Sequence, residues 1–282
     1  MIALTLALLV GATPLANAHA HNDYEHKRPL ADALDQGFTS VEADIFLVDG
    51  ELLVGHDKKD LKPERTLDRL YLEPLYEGYK ARGGIYTTGL WVGEPPKPDE
   101  GREPSFDARF PFKPAYGQTF QLLIDIKTGG AEVYPVLAGK LKKVRDMLTQ
   151  FGQEVKPGMV TVVISGDRPV DLIQKDKDRL CAIDGRPIDL DGDRPKDLVP
   201  LVSENWLTMF RWLGVKGMPS EQRQKLHDYI SKAHRQGRRV RFWGAPDNPD
   251  IWRVLWNAGV DYIGSDNLPL LTEFILRQPI RR

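Results

Sequence analysis

Glu42 and Asp44 sit two residues apart in the run TSVEADIFLV. That run is rich in β-branched and aromatic residues and reads as a strand. Side chains two apart on a strand share a face, so the two carboxylates point the same way. Val41, Ile45 and Leu47 flank them and place both acids beside a core. Like charges in such a setting are costly unless a cation or a network of donors lies between them. A hard divalent ion with oxygen ligands, Mg²⁺ or Ca²⁺, is the simplest resolution. Four of the six histidines, His19, His21, His26 and His56, fall in the stretch from His19 to Asp57 around this pair. An imidazole titrates near neutrality and can carry a proton either way. Asp125 and Lys127, in FQLLIDIK, repeat the two-apart spacing on another predicted strand.

The elements that must hold these groups follow from hydrophobic periodicity. RPLADALDQ has helical spacing and stops at Gly37. Asp49-Gly50 is a two-residue hairpin signal, and ELLVGHD returns from it as a strand that brings His56 back towards Glu42 and Asp44. Residues 83–117 are dense in Pro and Gly and read as a long lid or rim loop. From Phe120 onward strand and helix patterns alternate, with one helix beginning after Pro135 and a later helix capped by Ser220. Such alternation predicts parallel strands with crossover helices, and the number of strands favours a single-domain α/β fold, a (β/α)8 TIM barrel over 19–282. In that fold, chemistry gathers at the C-terminal ends of strands. The residues falling there are His19, His21, Asn22, Asp23, Glu42, Asp44, His56, Asp57, Asp125, Lys127, Ser165, Asp167, Asp184, Glu204, Asn205, Trp243 and Asp266. Asp184-Gly185 reads as a turn. Asp266 reads as a ligand or as the cap of the last helix, and His227 and His234 as solvated positions on a charged helix.

Composition bounds the partners. A chain of 282 residues with net charge −1 and dispersed Lys and Arg gives no footprint for nucleic acid. The single cysteine, Cys181, excludes an internal disulfide and reads as a core residue. Residues 1–18 read as a signal peptide ending in Ala16-Asn17-Ala18, which predicts a secreted or periplasmic protein with no transmembrane segment in the mature chain.

HNDYEHKRPLADALDQGFTSVEADIFLVDGELLVGHD, with LKPERTLDRLYLEPL after it, resembles the PI-PLC-like/glycerophosphodiester phosphodiesterase barrel superfamily, in particular the branch of the altered inheritance of mitochondria protein six family. LLIDIKTG is similar to a strand of the sphingomyelinase D enzymes of that superfamily, and residues 242–271 are similar in kind to its last strands and helices. The resemblance implies a metal-dependent phosphoric diester hydrolase or lyase acting on a small-molecule or lipid phosphodiester. It implies His21 and His56 as the catalytic histidines, Lys127 as the neighbouring lysine of the catalytic set, and Glu42, Asp44 and Asp125 as ligands of one divalent cation. Spacing to Gly37 and Glu42 favours His21 over His19 as the first histidine, and His19 stays open as the alternative. Asn22, Asp23 and Trp243 are candidate substrate contacts. The chain departs from many glycerophosphodiesterases, which carry Glu at the position of Asp125 and Arg-Gly after the first histidine.

The chemistry fits these residue types. Phosphodiester cleavage needs charge neutralisation on the non-bridging oxygens, a base for the nucleophile and an acid for the leaving oxygen. Two other readings compete. His19-Ala20-His21 resembles the metal-binding pair of an amidohydrolase, which would need further histidines on middle strands. A catalytically inactive secreted binding protein would use the same barrel without turnover.

Overall fold

The structure is a computed structural model that describes residues 14–81 and 119–278. Its frame is a nine-stranded sheet. In chain order the strands are β1 (Leu15–Ala20), β2 (Phe38–Val48), β3 (Glu51–Val54), β4 (Phe120–Ile126), the small ribbon β5 (Gln150–Phe151) and β6 (Val155–Lys156), then β7 (Val160–Gly166), β8 (Cys181–Gly185), β9 (Leu201–Asn205), β10 (Arg239–Trp243) and β11 (Tyr262–Ser265). The order across the sheet is β1-β11-β10-β9-β8-β7-β4-β2-β3, and β1 also pairs with β2. That last pairing closes the sheet. Only β3, which forms a hairpin with β2, is antiparallel within it; removing it from nine leaves eight parallel staves. Helices α1 (Ala31–Asp35), α2 (Glu73–Ala81), α3 (Gly130–Lys143), α4 (Val170–Lys175), α5 (Trp206–Met209), α6 (Ser220–Arg235) and α7 (Pro249–Ala258) lie between staves in the chain, and α8 (Leu268–Leu276) follows the last of them. The fold is the predicted (β/α)8 barrel. Among the described residues, no helix is long and apolar enough to cross a membrane.

The staves read as strands because both their faces are covered. In β7 (VTVVISG) every residue but the last is buried, as expected of a parallel strand between a packed lumen and a helix layer. Leu123, Val163, Leu201 and Tyr262 form a buried cluster of their own, separate from the larger core between staves and helices. Their register neighbours Glu42 and Arg241 belong to the same lumen. Asp49 and Gly50 both take positive φ, 50° and 84°, the backbone a tight two-residue hairpin requires.

Two expectations change. α3 starts at Gly130, upstream of Pro135, because the Gly129 carbonyl already accepts from the N–H groups of Glu132 and Val133 and closes the first turn. Ser220 opens α6 as its first helical residue, and Pro219 stands at the cap. The boundary expected after Ala18 falls within β1. Ala18 is fully buried and pairs with Ile263, and the Leu15 N–H donates to the Gly37 carbonyl at 2.7 Å. A cut after Ala18 would leave β1 only His19 and Ala20. Residues 1–13 and the predicted rim segment 83–117 lie outside the described residues.

Candidate active site

β1, β2 and β4 deliver the predicted groups to the lumen in two layers. The deeper layer is closed. His19 is fully buried, with Nδ1 2.8 Å from Ser40 Oγ and Nε2 3.0 Å from Glu42 Oε2. Gln121 Nε2 donates to Ser40 Oγ at 2.9 Å, so the Ser40 hydroxyl is free to donate to His19 Nδ1 while His19 Nε2–H donates to Glu42. Burial, followed by the charge of Arg241, pulls the His19 pKa down to about 4, which keeps the ring neutral. Arg241 Nη2 donates to the same Glu42 Oε2 at 2.8 Å. Burial alone would push the Glu42 carboxyl up, but the Arg241 charge and the His19 hydrogen bond hold it below the usual carboxylate range.

The upper layer is open. Asp44 of β2 pairs in register with Asp125 of β4, which pairs with Ser165 of β7, so the three side chains share the lumen face. Single oxygens of Glu42, Asp44 and Asp125 lie within 4.8 Å of one another. Asp44 Oδ2 accepts from the Tyr24 hydroxyl at 2.7 Å and from Lys127 Nζ at 2.9 Å. His56 Nδ1 lies 3.1 Å from the Tyr24 hydroxyl and 3.3 Å from Asp44 Oδ2. Lys127 Nζ is 3.8 Å from Asp125 Oδ1. On the β1 side, His21 Nδ1 is 2.9 Å from Asp266 Oδ1. Burial lowers the His21 pKa, but the Asp266 hydrogen bond and the Glu42 charge outweigh it, and the net shift is upward.

The carboxylates behave as a site that needs positive charge. Burial, then Asp44 and Glu42, push Asp125 up to about 6. Burial and the Glu42 charge push Asp44 up despite Lys127. Asp44 Oδ1 is buried without a hydrogen-bond partner. An orphaned carboxylate oxygen beside two further acids fits a hard divalent cation, because oxygen ligands and spare negative charge are what such an ion takes. Glu42, Asp44 and Asp125 are the residues that could hold it. The close approach is bought by Gly166, whose φ is +70°: a Cβ there would lie 2.5 Å from Asp125 Oδ1 and 2.3 Å from the Ile126 carbonyl oxygen.

The structure thus brings together His21, His56, Lys127, Glu42, Asp44 and Asp125, and separates other candidates from them. Asp23 is buried beneath the mouth, where Oδ2 accepts from the Leu30 N–H at 2.6 Å and the Tyr71 hydroxyl at 2.9 Å. It anchors the loop after β1 and does not face substrate. Burial pushes its pKa up to about 6. Asn22 Oδ1 is 2.9 Å from the Tyr24 hydroxyl, and the residue takes a left-handed backbone. Trp243, at the end of β10, is 39% exposed. Asp266 is the partner of His21, and Asn267 caps α8 through the Leu270 N–H. Asp167 accepts from the Gly130 N–H; Glu204 accepts from the Asn205 N–H; Asn205 caps α5. Asp184 lies within β8 and is buried, not in a turn. His227 is exposed, whereas His234 is partly buried and tied to Asp261 at 2.8 Å.

Tyr24 and Arg241 were missed by sequence reasoning. The alternation of Arg239 and Arg241 on the strand RVRFW carried a signal, since a charge facing a barrel lumen implies a buried acid opposite. Tyr24 carried none beyond its place between the histidines.

Comparison with known proteins places this geometry in context. The AIM6-like phosphodiesterase domain matches residues 8–183, and the glycerophosphoryl diester phosphodiesterase family matches residues 239–269. The altered inheritance of mitochondria protein 6 homolog of Arthroderma benhamiae is 31% identical, over 92% of this chain and 83% of its own length. Altered inheritance of mitochondria protein 6 of Eremothecium gossypii is 30% identical, over 92% of this chain and 69% of its own. A crystal structure of a glycerophosphodiester phosphodiesterase from Agrobacterium tumefaciens superposes with a TM-score of 0.48 at 14% identity, covering 92% of this chain and 99% of that one.

Proposed function

The chain belongs to the AIM6-like phosphodiesterase domain family and is a phosphoric diester hydrolase, and from that premise we propose that it works with one divalent cation and two histidines. The observation that carries this reading is the unpartnered Asp44 Oδ1 beside the oxygens of Glu42 and Asp125. Bound there, Mg²⁺ or Ca²⁺ would neutralise charge on the non-bridging phosphate oxygens.

The protein's own groups supply the proton transfers. His56 is held through Nδ1 by Tyr24 and Asp44, which leaves Nε2 as the free lone pair. That nitrogen takes a proton from a water, or from a neighbouring hydroxyl of the substrate, in which case a cyclic phosphate forms first. His21 is held through Nδ1 by Asp266, whose hydrogen bond favours the protonated ring. With Nδ1 engaged by Asp266, Nε2 is the nitrogen that gives a proton to the departing alkoxide. Lys127 fixes Asp44 Oδ2 and adds a positive charge at the phosphate. The substrate class is a glycerophosphodiester or phospholipid headgroup, a reading supported by the family match over residues 239–269.

A panel of phosphodiesters, assayed with and without chelator, tests the scheme. Turnover that stops with chelator and returns with Mg²⁺ or Ca²⁺ is expected. Undiminished turnover after thorough chelation would remove the cation from the mechanism. Export is the companion proposal from the apolar leader, and it expects a mature N-terminus at or before Leu15 in the extracytoplasmic protein.

A further inference from the structure

The mouth of the barrel carries a second cluster of charge, reached from Asp125 by way of Ser165 on the neighbouring stave. Ser165 Oγ donates to Asp184 Oδ2 at 2.9 Å. Arg186, just beyond the end of β8, donates through Nη1 to the same Oδ2 at 3.0 Å, and its Nη2 lies 3.3 Å from Ser165 Oγ. Arg168, just beyond the end of β7, donates through Nη1 to the backbone carbonyl of Asp184. Arg186 Nη1 reaches that same carbonyl at 3.2 Å. Two guanidinium groups therefore converge on one carbonyl oxygen.

Their charges are not balanced. Asp184 pairs with Arg186, and Asp189 pairs with Arg194. Arg168 has no carboxylate ion-pair partner among the described residues, and its buried Nε has no hydrogen-bond partner. Burial and then the Arg186 charge depress the Arg168 pKa. A brace between β7 and β8 would need only Arg186, whose contacts already join Ser165 to Asp184. Placing a second guanidinium beside it costs energy unless an anion arrives to share both. Arginine forks match carboxylate and phosphate oxygens in pairs.

We propose that Arg168 and Arg186 form an anion subsite on the β7–β8 rim that binds a second negatively charged group, a carboxylate or a phosphate, on the alcohol arm of the diester. The subsite rests on the proposed phosphodiester site next to it and narrows its substrate to diesters with a charge beyond the scissile phosphate.

Glycerophosphoserine and glycerophosphoethanolamine differ by one carboxylate and make a direct test. The metal-loaded wild type should favour the serine ester in kcat/KM. In Arg168→Gln and Arg186→Gln that preference should fall by about tenfold, the scale of a lost charge-assisted pair. A wild type without preference, or variants in which both esters fall in parallel, would overturn the subsite. Calorimetric binding of inorganic phosphate to the chelated, metal-free protein separates this from the reading of the catalytic site. Binding that weakens in Arg168→Gln and persists in Asp125→Asn supports the subsite even if neither ester is turned over. Absence of phosphate binding, or binding indifferent to both arginines, counts against it. Arg168→Lys guards against a folding defect: it keeps the charge and should retain part of the preference.

Discussion

The deeper and upper polar layers of the lumen use the same staves, β1 and β2, two residues apart, yet they have opposite characters. In the deeper layer both nitrogens of His19 are engaged and Glu42 Oε2 takes two donors. In the upper layer the side chains of His21, His56 and Lys127 are 29%, 51% and 27% exposed, and Asp44 keeps an unpartnered oxygen. The contrast extends to proton affinity: His19 is held neutral by burial, whereas Asp266 helps hold His21 in its protonated form. A closed, satisfied network fixes geometry; an open one can exchange protons and ions. Glu42 belongs to both: its Oε2 takes two donors below, and one of its oxygens lies in the acidic cluster above.

The largest effects should separate the layers outright. His21→Ala and His56→Ala each remove a proton-transfer group and should lower kcat by about 10²- to 10⁴-fold with little change in melting temperature. His19→Ala should do the reverse in emphasis, lowering the melting temperature because Ser40 and Glu42 lose a buried partner. Kinetics paired with thermal melts for the three variants decide the matter. A His19→Ala protein as stable as wild type but as inactive as the mouth variants would dissolve the division between layers.

Arg241 sharpens the same contrast by way of stability. Arg241→Met leaves Glu42 buried with only His19 as a polar partner, and breaking a buried pair in this way costs about 3–5 kcal/mol. Denaturant unfolding should show the loss. Saturating Mg²⁺ or Ca²⁺ should recover part of it, since a cation at the acidic cluster would also compensate Glu42. Equal losses with and without the ion would mean that Glu42 is a structural acid and no ligand.

A third effect belongs to the upper layer alone. The metal-free pKa of Asp125 is raised to about 6, by burial first and then by Asp44 and Glu42. A raised carboxyl pKa favours the protonated form in the folded protein, so a cation must displace that proton below about pH 6. Affinity should therefore be level above this pH and fall by up to about tenfold per unit as pH drops below it. Calorimetric titration across pH 5 to 7 reads the slope. Asp125→Asn should bind more weakly, with a smaller slope; an unchanged profile would take Asp125 out of the ligand set.

The difference between layers also explains what was legible in the sequence. Period-two spacing exposed Glu42 with Asp44 and Asp125 with Lys127, because a strand's geometry is local. The β2–β3 turn was legible from Asp49-Gly50, since few residues tolerate positive φ at both positions. Partners 199 residues apart, such as Glu42 and Arg241, depend on barrel closure and register, and local pattern carries neither. Asp23 shows the opposite error. It stands among the chemical residues of the loop, yet its side chain turns down to hold the Leu30 N–H and the Tyr71 hydroxyl. A polar residue beside a site and a polar residue that shapes the loop look alike until the backbone is placed.

Tyr24 joins the shaping and the chemistry, and the smallest predicted effect concerns it. Its hydroxyl proton goes to Asp44 Oδ2, the shortest of its contacts at 2.7 Å. Its oxygen is then free to accept from His56 Nδ1–H, which fixes the tautomer that presents Nε2 as base. Tyr24→Phe removes that hold while keeping the buried ring. His56 retains its longer contact with Asp44 Oδ2 at 3.3 Å, so the ring is loosened but not lost. The expected cost is about tenfold in kcat, well short of the loss on deleting His56, with KM nearly unchanged because the tyrosine does not hold substrate. Steady-state kinetics on one diester separates the two parameters. A rise in KM at constant kcat would make Tyr24 a substrate contact, and no change in either would leave Asp44 alone to position His56.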